Sequence, residues 1–292
     1  MNQIVYYRKL IPYLILMILY PLEAKLVKPS KNGEEKEVLI ISGKRRLYYP
    51  VKSEGLHYSI QGPTRLEFIS RYPVLRGKKK SHPFQYRIII DGIDTVIVNH
   101  RYKVQKSIRS IQHPKHKYTF SGNYFINLDK GFHSIEIISN NEQKYPVLLR
   151  AITKEFESIG KNKKILTPMV HKTALHIRSN GKKINYFECN PALPLQVKAR
   201  GEKTLRILTR LEFSDSMGQE ESYRIRVTEG KKITGTYYFS TARSSTSQID
   251  NRPDKVPGKW RSCEIKVPKG EHLYNIEILD KGKSVLTRFI TY

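Results

Sequence analysis

A block of alternating apolar and polar residues with a Lys-Gly pair at its centre occurs twice in this chain. Residues 126–138 contain it first, and residues 265–279 repeat the Lys-Gly-x-His core together with the flanking alternation. Alternation of this kind is typical of half-buried β-strands, and a Lys-Gly pair between two such runs predicts a tight hairpin. The second occurrence indicates an internal duplication of a β domain.

Other segments recur in the same order. Residues 62–71 align without a gap with residues 201–210, and residues 147–153 align with residues 285–291. Several matches in one order are hard to obtain by chance. The chain is therefore predicted to contain two copies of one fold.

The predicted fold class is all-β. Each copy contains roughly eight short apolar runs bounded by Gly, Pro or Asn, and neither copy contains a segment with helical periodicity. This pattern predicts two tandem β-sandwich domains, immunoglobulin-like or jelly-roll, spanning residues 37–157 and 172–292. Residues 25–36 are predicted to form a flexible leader, and residues 158–171 a linker between the domains.

Residues 1–24 have the layout of a secretory signal peptide. Arg8 and Lys9 supply the positive charge, residues 10–22 form an apolar run, and Ala24 is the small residue at the expected cleavage site. This run is shorter than the roughly 20 apolar residues that a bilayer span needs, which favours a cleaved signal over a retained anchor. A retained anchor is the alternative, and it is the only membrane contact expected. We expect an exported protein in a bacterial periplasm, cell envelope or medium.

The charge balance is strongly basic. The chain has 53 Lys and Arg against 26 Asp and Glu, a formal net charge of +27. Such a charge concentrates polyanions near the surface, although a merely solvated basic surface is the alternative. Nucleic acid is the weaker polyanion candidate, because an exported protein seldom meets it.

The two copies differ most in the connections between their matching segments, where binding sites usually evolve. The connections of the first copy are basic and contain Arg71, Arg76, Lys78, Lys79, Lys80, Arg101, Lys103, Lys106, Arg109, Lys115 and Lys117. A corresponding connection of the second copy is acidic and contains Glu212, Asp215, Glu220 and Glu221. We expect the basic set to contact an anionic envelope polymer or a partner protein, and the reversal of charge also allows self-association.

Both cysteines of the chain, Cys189 and Cys263, lie in the second copy. An oxidising compartment would allow one disulfide between them. Two buried thiols in neighbouring strands are the alternative, because the sequence does not give the distance that a disulfide requires.

No pattern in the sequence demands catalysis or a cofactor. His113 and His116 could be metal ligands, but Pro114, flanking cations and the lack of a nearby carboxylate or Cys in the sequence favour a solvated loop. We therefore predict no metal site and no cofactor.

Four further polar residues have structural explanations. His133 and His272 occupy the same place in both copies, so they are expected to bond a backbone carbonyl or a neighbouring strand. Asp91 and Asp94 flank a glycine, and two carboxylates fall well short of the six to eight oxygens that calcium takes. A tight turn is therefore the simpler interpretation of Asp91 and Asp94.

Trp260 is the only tryptophan and is flanked by Lys259 and Arg261. It could stack on a sugar ring while its neighbours hold acidic substituents, or it could cover the edge of the second core. Taken together, the sequence predicts an exported, non-catalytic structural or binding protein of the cell envelope. The alternatives are a carbohydrate-binding protein or a glycan-processing enzyme.

Overall fold

The computed structural model describes residues 24–75, 80–139, 144–155, 159 and 162–292, and every helix or strand in these ranges is a β-strand. The N-terminal half contains β1 (Lys25–Val27), β2 (Glu37–Ile41), β3 (Lys44–Val51), β4 (Leu56–Arg71), β5 (Pro73–Val74), β6 (His82–Ile90), β7 (Asp94–Tyr102), β8 (Val104–Gln105), β9 (Arg109–Ser110), β10 (Lys117–Thr119), β11 (Gly122–Ser139) and β12 (Val147–Lys154). The predicted all-β class is confirmed.

The C-terminal half contains β13 (Lys164–Leu166), β14 (Leu175–Ser179), β15 (Lys182–Cys189), β16 (Leu195–Arg200), β17 (Lys203–Phe213), β18 (Glu220–Glu229), β19 (Lys232–Ala242), β20 (Ser247–Ile249), β21 (Val256–Pro257), β22 (Arg261–Val267), β23 (Glu271–Ile278) and β24 (Val285–Thr291). The predicted signal segment, residues 1–24, lies outside the described residues except for Ala24.

Each half packs as a β-sandwich with its own apolar core. In the N-terminal half, the order β7-β6-β11-β4 forms one sheet and β9-β2-β3-β12-β4-β11 the other, with different parts of β4 and β11 in each. In the C-terminal half, the corresponding orders are β19-β18-β23-β16 and β20-β14-β15-β24-β17-β22. The two halves therefore pair their strands in the same order, while their common ancestry stays a prediction.

The repeated Lys-Gly block is not a hairpin. The residues around Gly131 form one 18-residue strand, β11, which bends at an irregularity between Leu128 and Gly131 and pairs along its length with β4. Its counterparts β22 and β23 do not pair with each other, because β22 pairs with β17 and β23 with β16 and β18. Apolar residues alternate before and after a hairpin turn and also before and after a bend within one strand. The sequence pattern therefore could not distinguish a hairpin from a bent strand.

Close backbone contact at these bends requires glycine. A Cβ on Gly62 would lie 1.7 Å from the carbonyl oxygen of Asp129, and a Cβ on Gly201 would lie 1.9 Å from that of Pro268. The two glycines are aligned in the sequence and occupy equivalent bends. The strands can cross from one sheet to the other only because no side chain separates them here.

The segments predicted to be a flexible leader and a linker contain strands. β1 pairs with β12 between Lys25 and Thr153, and Ser30 N–H donates to the carbonyl of His57 at 2.7 Å. In the same way β13, inside the predicted linker, pairs with β24. Polar sequences such as these show no apolar alternation, but their backbone groups still complete the edge of a sheet. Each half therefore begins earlier than the sequence predicted, at β1 and β13.

One sheet continues from the first half into the second. β11 pairs in parallel with β19, from Tyr124 opposite Thr236 to Asn127 opposite Phe239. Phe125 thereby joins the core of the C-terminal half, where its ring stacks on Tyr237 with the centroids 4.5 Å apart. The predicted sandwiches are thus joined edge to edge, and Tyr238 of the C-terminal half in turn packs in the core of the N-terminal half.

The repeated histidines bond the turns beside these bends. Nδ1 of His133 lies 2.8 Å from the carboxylate of Asp91, and Nδ1 of His272 lies 2.5 Å from that of Glu229. The other nitrogen of each ring contacts a backbone carbonyl of the bend. Asp91 itself adopts a positive φ of 54° in the predicted tight turn. The structural roles predicted from the sequence agree with these contacts.

Gly201→Ala should destabilise the protein by about 3 kcal/mol or more, because the new methyl group overlaps backbone atoms that cannot rotate away. Gly218→Ala is the matched control, since its Cβ would meet only ordinary contacts at an exposed turn. Urea unfolding of both variants measures the difference. Equal midpoints for the two variants would contradict the close approach at Gly201.

The pKa of His272 is raised, mainly by its hydrogen bond to Glu229. A raised pKa in the folded state stabilises the protein below the unfolded value of about 6.5, and this contribution is lost as pH rises through the folded value. His272→Gln should therefore lower the melting temperature more at about pH 5.5 than at about pH 9. His176→Gln, whose ring contacts the neutral side chain of Asn185, is the control to be measured at the same two pH values.

Candidate functional site

A cleft of about 690 Å³ opens at the junction of the two halves. We call it the junction cleft, and both halves contribute to its wall. Most of its charged side chains are cationic, namely Arg65, Lys154, Arg206, Arg210, Lys259 and Arg261, against the carboxylates of Asp129 and Glu155. The cleft therefore has an excess of basic groups, although carboxylates pair with Arg65, Lys154, Arg206 and Arg261.

One strand of each half, β17 and β4, places arginines in the wall of the cleft. Arg206 and Arg210 lie four residues apart on β17, so they face the same side of the strand. Arg65 comes from β4 across the junction. The carboxylate of Glu264 lies between the halves, 3.0 Å from Nε of Arg206 and 3.5 Å from a guanidinium nitrogen of Arg65. A buried carboxylate shared by two arginines holds the two halves together electrostatically.

Arg210 is buried and donates to neutral acceptors only. Its guanidinium donates to the carbonyl of Gly258 at 3.0 Å and to the hydroxyl of Ser247 at 3.3 Å. Among the described residues, no carboxylate pairs with Arg210 or with the exposed Lys259. Arg210 therefore adds uncompensated positive charge to the wall, while Lys259 extends an accessible ammonium group at its rim.

Trp260 stands at the rim of the cleft with 55% of its surface exposed. This exposure leaves much of the indole accessible to a ligand. Its neighbour Arg261 donates to the carboxylate of Asp129 at 2.7 Å and so fixes this segment across the junction. Most of the other lining residues carry hydroxyl or amide groups, although the carbon atoms of the lining contribute more of its surface. They are Thr64, Asn127, Ser179, Asn180, Ser244, Thr246, Ser247 and Ser262, together with the apolar Pro63 and Leu128.

The basic connections of the first copy meet at a small three-stranded sheet. β10 pairs with β5 on one side and with β8 on the other, which brings the two connections together as the patch hypothesis requires. The exposed members of this basic patch are Lys80, Arg101, Lys103, Lys106, Arg109, Lys115 and Lys117. Arg76, Lys78 and Lys79 lie outside the described residues.

Arg71 does not belong to the exposed patch. It is buried, and its guanidinium donates to the carbonyl of Thr119 at 2.7 Å and to Gln105 at 3.0 Å. The aligned Arg210 likewise donates to a backbone carbonyl of the connection that packs over it. Arg71 therefore fastens the connection to the sandwich and is not available to a soluble polyanion.

The acidic connection of the second copy is partly neutralised within the chain. Glu212 is buried and lies 2.6 Å from Arg252, and Glu221 accepts from the ammonium group of Lys283 at 2.8 Å. Asp215 and Glu220 are exposed. Only part of the predicted acidic surface therefore presents charge to a neighbouring molecule.

Cys189 and Cys263 are free and buried, so the possible disulfide is not formed. Cys189 lies on β15 and Cys263 on β22, with β24 and β17 between them in the same sheet. Strand spacing alone separates them by about 14 Å, well beyond the reach of a disulfide. Burial raises the pKa of the Cys189 thiol to about 12, so it stays protonated and unreactive.

Sequence reasoning identified Trp260 and its flanking cations but missed the arginines of β17. Arg206 and Arg210 lie in a segment that matches the first copy, and matching segments were interpreted as scaffold. Their spacing on one face of a strand was the available signal. Nothing in the sequence brought Arg65 beside them, because that contact depends on how the halves are joined.

Comparisons with known proteins identify no family. No family model matches the chain, and no curated protein matches it. Among solved structures, the N-terminal CBM22-1-CBM22-2 tandem domain of Xyn10C from Paenibacillus barcinonensis is similar at a TM-score of 0.23 and 12% identity, over 92% of this chain and 96% of that chain.

Two further similarities are of the same order. PNGF-II matches at a TM-score of 0.24 and 8% identity, over 92% of this chain and 64% of that chain. A chain of Sulfolobus Turreted Icosahedral Virus matches at a TM-score of 0.26 and 10% identity, over 89% of this chain and 60% of that chain. At such scores these similarities carry no argument about function. None of the described residues forms a helix that is long and apolar enough to cross a membrane.

Proposed function

We propose that this protein binds an anionic glycan in the junction cleft, as an exported and non-catalytic component of the cell envelope. The observation that carries the proposal is the combination of an exposed tryptophan with flanking cations in a cleft where basic groups outnumber carboxylates. Trp260 supplies a flat apolar face, and Lys259 beside it is exposed and has no carboxylate partner within the described chain.

An acidic sugar matches this chemistry in three respects. The face of an indole packs against the apolar face of a sugar ring. Ammonium and guanidinium groups bind carboxylate, sulfate or phosphate substituents through charge-assisted hydrogen bonds. The hydroxyl and amide groups of the wall can exchange hydrogen bonds with sugar hydroxyls. The volume of about 690 Å³ is ample for more than one sugar ring.

The basic patch on the N-terminal half is a second candidate surface for the same polymer or for a partner protein. The pairing of β10 with both β5 and β8 supports it, because that pairing gathers exposed cations from two separate connections. Self-association through the acidic connection is less well supported. Glu212 and Glu221 are already paired within the chain.

Affinity for a soluble uronic-acid polymer, compared with the same polymer after its carboxyl groups have been reduced to alcohols, tests the proposal. The charged polymer should bind at least about tenfold more tightly, and its affinity should fall as salt rises. Trp260→Ala and Lys259→Ala should each weaken binding by about tenfold, since each removes one contact of the ring and its substituent.

Lys281→Ala is the matched control, because it removes an exposed cation that does not line the cleft. Equal affinity for both polymers, or unchanged affinity in the Trp260 and Lys259 variants, would refute binding in the cleft. A double variant, Lys115→Ala with Lys117→Ala, separates the two surfaces. If only this variant loses affinity, the polymer binds the basic patch instead.

A further inference from the structure

Two histidines and a glutamate that are far apart in the sequence meet at one end of the N-terminal half. β9 pairs with β2 at Ser110 opposite Leu39, and the chain continues along the same strand. Ile111 N–H donates to the carbonyl of Val38 at 3.0 Å. This pairing carries the residues after β9 toward Glu37, the first residue of β2.

A tight turn then places both imidazoles beside that carboxylate. His116 N–H donates to the carbonyl of His113 at 3.0 Å, and the two rings stack with their centroids 4.9 Å apart. Nδ1 of His113 lies 3.3 Å from Oε1 of Glu37. One ligand atom from each of the three residues lies within 4.8 Å of the others.

The carboxylate is fixed from behind. Glu37 is buried, and the hydroxyl of Tyr118 donates to its Oε1. A hydrogen bond of this kind orients a ligating carboxylate, as second-shell partners do in metal sites.

We propose that Glu37, His113 and His116 bind a divalent transition-metal ion, Zn²⁺, at the edge of the N-terminal half. Two imidazoles and one carboxylate are a ligand set that Zn²⁺ accepts, with its fourth position open to solvent. Ligand atoms about 2.0 to 2.2 Å from a tetrahedral ion lie roughly 3.3 Å apart, which the His113–Glu37 contact already matches. Rotation of the partly exposed His116 ring brings its nitrogen to the same distance and completes the set of three ligands.

The charges around this place are mixed, so the affinity for an ion must come from the three ligands themselves. Arg109, Lys115 and Lys117 of the basic patch lie on the same segment as the two histidines, and Glu35 is already paired with Lys52. The adjoining cavity, of about 480 Å³, is also lined by Glu34 and Glu35. Lys36 is the cation of that lining, and the neighbouring Lys115 is exposed to solvent. The expectation of no metal site depended on the absence of a carboxylate near His113 in the sequence, and strand pairing supplies one. The proposal is independent of glycan binding in the junction cleft.

Zinc titration of the chelator-treated full-length protein, followed by calorimetry and by competition with a chromogenic chelator, tests the site. One ion should bind per chain with a dissociation constant in the micromolar range or below. His113→Ala and His116→Ala should each weaken binding by at least about tenfold, because each leaves only two ligands. His176→Ala, a variant of a half-buried histidine on β14 of the C-terminal half, should bind as the unaltered protein does.

Glu37→Gln gives a second measurement, because it keeps the size of the side chain and removes its charge. It should weaken zinc binding while the folded state persists, as checked by circular dichroism. If Glu37→Gln does not fold, the two histidine variants decide the question alone. The proposal is overturned if the unaltered protein shows no saturable binding, or if His113→Ala and His116→Ala together bind zinc unchanged. In either case, the cluster is only a local polar contact.

Discussion

The parallel pairing of β11 with β19 is the interaction on which the rest of the arrangement depends. An unpaired strand edge exposes a row of backbone donors and acceptors, and here each half covers such an edge of the other. The stacking of Phe125 on Tyr237 adds apolar burial to those hydrogen bonds. The junction cleft exists only because this pairing holds Arg65 and the residues of β17 on facing walls.

The pairing occurs once because the residues that allow it differ between the halves. A Cβ at Gly235 would lie 2.8 Å from the ring of Phe125, so this close approach requires glycine. By strand pairing, the position equivalent to Gly235 is Asp94 in β7, which lies opposite Ile90 as Gly235 lies opposite Val227. The position equivalent to Phe125 is Glu264 in β22. A carboxylate therefore replaces both the glycine and the ring. Among the described strands, β7 and β22 each pair with one strand only.

Apolar alternation predicted the all-β class and the order of the matching strands, because it records which face of a strand is buried. It did not distinguish a turn from a bend at Gly131. It also did not predict β1 and β13, because the pairing of these strands depends on backbone groups alone. The site was harder to predict for a related reason. Sheet pairing brings His113 to Glu37 and Arg65 to Arg206, and the residues of each pair are far apart in the sequence. No local sequence pattern therefore predicts these contacts.

The electrostatics of the junction cost stability. Like charges gathered in a cleft repel one another, and a buried cation without a carboxylate partner costs stability. Glu264 relieves part of this cost by bonding Arg206 and lying close to Arg65. Arg210 donates only to neutral groups among the described residues, and Lys259 extends its charge into solvent beside Trp260. A binding partner that brought negative charge would remove the remaining repulsion, so occupancy of the cleft and the stability of the junction should increase together.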